Sequence, residues 1–120
     1  MTNEDVVNLF KGINDCAELK GIKFTYALAK NYKMLKPLVD AIQESIKKIG
    51  YEHGEKDKKG ELILKEDGSF KLDNQKQYKI EMEELMKIEN KKVTLHKVKE
   101  KDLPKDINTS QMTLILDLVE

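Results

Sequence analysis

The chain has 120 residues, 39% hydrophobic and 37% charged, with 22 lysines set against 22 acidic residues and no arginine or tryptophan. That length suits one domain, spanning 1–120, with a real core, and the composition lies outside the disordered class. Zero net charge gives no whole-chain pull toward nucleic acid or membrane, and no apolar run approaches the roughly 20 residues that span a bilayer.

The opening MTNEDVV is acidic and lacks the apolar core of a signal peptide, which predicts a soluble protein made in the cytoplasm. Thr2 is placed to cap a first helix, with Glu4 and Asp5 at its positive end. Val6, Phe10, Ile13 and Ala17 follow a four-three-four spacing, and Val7 and Leu19 widen that face. Gly12 weakens the helix by about 1 kcal/mol relative to alanine. Leu19-Lys20-Gly21 reads as its end.

The longest element is Thr25 to Gly50. Leu28, Tyr32, Leu35, Val39, Ile42, Ile46 and Ile49 recur every three or four residues and so share one helical stripe. Pro37 falls opposite that stripe, on the solvent side, and predicts one helix bent there rather than two helices broken near Lys36. Gly50 reads as its C-cap. The short link at Gly21 predicts that the two helices form an antiparallel helical hairpin, closed by Phe24 and Tyr26.

Residues 51–60 read as a loop. Glu61-Leu62-Ile63-Leu64-Lys65 and Phe70-Lys71-Leu72 flank Glu66-Asp67-Gly68-Ser69, whose Asp-Gly pair is a β-hairpin signal. Asp73 or Asn74 caps a third helix running to about Glu89, with Tyr78, Met82, Leu85 and Met86 on one side. Lys92 to Val98 alternates as a short strand that pairs with the hairpin. Thr109 or Ser110 caps a last helix, Met112 to Val119. The expected class is α+β: a helical hairpin with one long kinked helix, a small antiparallel sheet and two further helices.

The order of KFTYALAKNYKMLKPLVDAIQES, a Lys/Glu loop, GELILKEDGSFKLD and YKIEMEELMKIENKKVTL resembles small uncharacterised proteins of tailed bacteriophages and prophages. The resemblance is one of layout across most of the chain. It implies an accessory or structural phage protein, found in the host cytoplasm or the virion, and carries no catalytic residues to transfer.

Chemical motifs are scarce. His53 and His96 stand far apart, and with a single cysteine, Cys16, they lack the paired close spacings of a zinc site and leave no disulfide possible, so no metal or cofactor is expected. Asp57, Asp67 and Asp73 read as turn and cap residues without the calcium-loop pattern. No histidine is set beside a nucleophile by any motif around Cys16, and no phosphate-binding glycine loop occurs. Glu81, Glu83, Glu84 and Glu89 share a helix with lysines and read as a solvated face. The chain is not expected to be an enzyme.

One asymmetry remains. Between Glu18 and Asp40 there is no acidic residue, while Lys20, Lys23, Lys30, Lys33 and Lys36 all fall there. Lys23, Lys30, Lys33 and Lys36, with Tyr26 and Met34, are therefore the expected partner-binding residues, on the outer face of the long helix. The expected partner is a protein, either a phage structural component or a host target. Nucleic acid held by the same lysines is the alternative, disfavoured by the lack of arginine and of interleaved aromatics.

Overall fold

The computed structural model describes residues 1–69 and 71–120. Its elements are four α-helices, α1 (Asn3–Asp15), α2 (Ile22–His53), α3 (Gln75–Met86) and α4 (Thr109–Ile115), with short 3₁₀ turns at Glu100–Asp102 and Leu116–Leu118. The chain divides into two compact units: Met1–Asp40 with Glu89–Glu120, and Ala41–Ile88.

In the first unit, α1 starts where Thr2 and Asp5 cap each other. Thr2 Oγ1 accepts from the Asp5 amide at 3.1 Å, and Asp5 Oδ2 accepts from the Thr2 amide at 2.9 Å. Two orphan donors of the first turn are thereby satisfied. The helix stops at Asp15, earlier than the sequence suggests, and Gly21 opens α2 from a φ of +122°, a backbone region that favours glycine. Val6, Leu9 and Ile13 of α1, Phe24, Leu28 and Leu35 of α2, and Ile115 and Leu118 near the C-terminus are all buried. Each such side chain contributes about 1.5–3 kcal/mol of burial.

α2 is a single helix of 32 residues, with Pro37 exposed inside it. Proline there removes the donor for the Lys33 carbonyl, and that carbonyl lies on the solvent side where water can replace it. Gly50 is helical and buried and does not end the helix, which continues to His53. Leu28, Leu35, Val39 and Ile42 of the expected stripe are buried, and the stripe is wider than expected. It includes Phe24, Ala27 and Asn31, while Tyr32 is 36% exposed.

The expected α+β class is overturned. Among the described residues there is no β-strand and no sheet, only isolated bridges between Thr2 and Glu89, Gly54 and Leu72, Lys56 and Leu62, and Val98 and Val119. The molecule is mostly helical.

In the second unit the backbone pairs across three segments. Glu55 N donates to Lys71 O at 2.6 Å, Lys71 N to Ile63 O at 2.9 Å, and Ile63 N to Glu55 O at 2.8 Å. Asp73 N also donates to His53 O at 2.9 Å and Asp57 N to Glu61 O at 2.8 Å, so the three segments are joined in pairs by short bridges. The turn at Asp67-Gly68 does form, with Gly68 at φ +85° and Lys65 N bonded to Ser69 O at 2.7 Å. Its arms do not become strands; Phe70, assigned to the second arm, lies outside the described residues. α3 follows, capped by Asn74 Oδ1 accepting from Gln77 N at 3.1 Å, with Tyr78, Met82, Leu85 and Met86 half-buried.

The expected strand at 92–98 is also absent. Its only bridge is Val98, whose amide donates to Leu118 O at 2.7 Å and whose carbonyl accepts from Glu120 N at 2.9 Å. α1 meets both α2 and α4. α1 approaches α4 most closely, at Gly12, where the missing Cβ makes room for Leu114. Its contact with α2 includes the stacked rings of Phe10 and Tyr32, 4.9 Å between centroids. The last helix starts earlier than expected, capped by Asn108 and Gln111 reciprocally.

Candidate functional site

The residues singled out for partner binding lie in the first unit, on the N-terminal half of α2. Lys23, Lys30, Lys33 and Lys36 are exposed and Met34 is half-buried. Tyr26 is 63% exposed, and the Lys30 ammonium sits 4.9 Å from its ring centroid. That distance is within cation–π range, so the Lys30 charge stands over an aromatic face rather than free in solvent.

These residues do not form one equivalent set. Lys36 Nζ donates to Asp40 Oδ1 at 2.6 Å, four residues on, and that hydrogen bond, ahead of the carboxylate's charge, holds the ammonium pKa above its ordinary value. The acid-free run thus ends in a side chain that reaches back and neutralises its last lysine. By helical spacing Tyr26, Lys30 and Lys33 follow one strip of the helix, and Ile22, one turn earlier, joins them. Ile22 is 86% exposed and was not among the expected residues. An apolar residue at the polar edge of a helix start was the signal that could have found it. Lys23 and Met34 flank the strip on one side, and Lys36 on the other.

Beside this strip is an open apolar groove of about 460 Å³, lined by Ile13, Cys16, Ala17, Leu28, Ala29 and Tyr32 among others. Cys16 is completely buried at its floor. Burial, ahead of the neighbouring Asp15 carboxylate, raises the thiol pKa, so Cys16 is held as an inert thiol.

His96 is exposed in side chain, and its backbone is held by Asn31. His53 ends α2 and contacts Glu81 of α3. No described helix is long and apolar enough to cross a membrane. Comparison with protein-family models, with curated proteins and with solved structures finds no match.

Proposed function

We propose that the chain is a non-catalytic accessory protein of a phage or prophage that works by binding an acidic segment of another protein through the strip Ile22, Tyr26, Lys30 and Lys33. The observation that carries this reading is the exposure of Ile22 and Tyr26 in the middle of an acid-free lysine face. Tyrosine supplies large contact area at low entropic cost, and the flanking ammonium groups select a partner of opposite charge and speed its encounter. The phage setting rests on the resemblance in layout. Lys23 and Met34 form the edge of the surface, and Lys36 contributes little because Asp40 already occupies it.

The test is affinity capture from host lysate with wild type, Lys30→Glu/Lys33→Glu and Tyr26→Ala, each checked for an unchanged melting temperature. The expected result is one protein that wild type retains after nuclease treatment and both variants lose. Equal recovery by all three would sink the reading. Recovery abolished by nuclease and by moderate salt would transfer the lysines to the alternative, a phosphate-binding role.

A further inference from the structure

We infer that Glu52, His53 and Glu81 form a binding site for a divalent transition-metal ion within the second unit. The three side chains each bring one ligand atom to a common place, all within 4.8 Å of one another. Glu52 and His53 are the last two residues of α2, and Glu81 comes from the middle of α3. His53 Nε2 points directly at Glu81 Oε2, and these two side chains are only 13% and 30% exposed. One imidazole nitrogen and carboxylate oxygens from two glutamates, with water completing the shell, suit zinc and its first-row neighbours better than the all-oxygen preference of magnesium or calcium.

Charge points the same way. Two carboxylates converge here, and among the described residues no lysine pairs with either. Lys71 pairs with Glu55 at 3.4 Å and Lys56 stands over the Tyr51 ring at 4.5 Å, while Lys48, one turn before Glu52, makes no ion pair with it. Glu52 also breaks a local rule. It stands in the last turn of a 32-residue helix, at the negative end of the helix dipole, where an acid is disfavoured and a cation is stabilised. A divalent ion bound there offsets both the carboxylate repulsion and the misplaced charge. The spacing in sequence carries no sign of this, since 28 residues separate His53 from Glu81. The ion would clip the end of α2 to α3, across a segment without strands to hold it.

The plainer reading is a histidine–glutamate ion pair with Glu52 beside it, and the experiment separates the two. Zinc sulfate, cobalt chloride and magnesium chloride are titrated into the whole chain by calorimetry, and melting is followed with each metal. The expected result is one zinc per chain, a melting temperature raised by zinc and cobalt but not by magnesium, and a visible cobalt absorption band. Glu52→Gln, at an exposed position, and Glu81→Gln should each weaken zinc binding by more than roughly tenfold. His96→Gln should leave it unchanged, which excludes the other histidine. Zinc binding of equal strength in wild type and Glu52→Gln, or equal response to zinc and magnesium, overturns the site and leaves the ion pair.

Discussion

The side chain of Asn31 and the backbone of His96 form a closed pair: Asn31 Nδ2 donates to His96 O at 2.9 Å, and Asn31 Oδ1 accepts from His96 N at 2.9 Å. Nδ2 also donates to Ala27 O at 2.9 Å, so the fully buried amide meets its hydrogen-bonding needs. An amide offers the same donor and acceptor pair as a neighbouring strand. Asn31 thus takes the place of a β-partner for the segment at 92–98. Replacing it with leucine, which keeps the branched shape without the polar atoms, should destabilise the protein by about 2–4 kcal/mol, because His96 N and O lose their partners. Asn31→Asp should cost more, since it sets a carboxylate against two carbonyls. Urea denaturation measures both, and a midpoint for Asn31→Leu equal to wild type would refute the pairing.

Gly12 lies where α1 and α4 cross. A Cβ built there would stand 2.6 Å from Leu114 Cβ and 3.1 Å from its backbone carbon. Alanine would gain about 1 kcal/mol of helix propensity. It would also force the helices apart, at about 1–3 kcal/mol for overpacking. Gly12→Ala should therefore lower the melting temperature, and Gly12→Leu should lower it further. A more stable single variant would show that the crossing is loose.

Cys16 is fully buried, with a thiol pKa raised first by burial and then by Asp15. The thiolate is the reactive form, so labelling requires both opening and deprotonation. Reaction with a disulfide reagent at neutral pH should be slower in the native protein than in denaturant by about a hundredfold or more, the factor for an opening free energy of roughly 3 kcal/mol. Stopped-flow absorbance gives both rates, and similar rates would place the thiol in solvent.

At the 65–69 turn, the Asp67 carboxylate accepts from the Ser69 hydroxyl at 2.6 Å and from the Ser69 amide at 3.0 Å. The hydroxyl bond, then the amide bond, holds its pKa below the ordinary value. A depressed acid favours the folded turn at pH above the unfolded pKa, and that contribution is lost as pH falls through the folded one. Ser69→Ala should shift the Asp67 titration upward, toward but not fully to the ordinary carboxylate value, because the amide bond remains. A carbon-detected NMR titration reads this directly; an unmoved curve would mean the hydroxyl bond is not made.

The sequence by itself determined what depends on residues a few positions apart. Thr2 with Asp5, Asn74 with Gln77 and the Asp67-Gly68 turn are all satisfied within four residues, so their chemistry is visible in a short window. The course of α2 through Pro37 was legible for the same reason, since spacing alone puts that proline on the outer face. The exposed lysines of α2 followed from the absence of acids between Glu18 and Asp40, but Ile22 and the Lys36–Asp40 pair needed side-chain positions. Tertiary structure decided where distant backbone groups found partners. Alternating residues at 92–98 are compatible with a strand, yet their backbone meets a side chain from α2, 65 residues away, instead of a second strand. Leu62, Ile63 and Leu64 read as one arm of a hairpin, yet Ile63 bonds to both Glu55 and Lys71, and the described residues of these segments meet only in isolated bridges. Gly12 reads as a weak point in α1 and is the place where α4 comes closest. Local pattern states what a segment can pair with; only the packed chain sets which donor stands opposite which acceptor, because that choice is made between residues tens of positions apart.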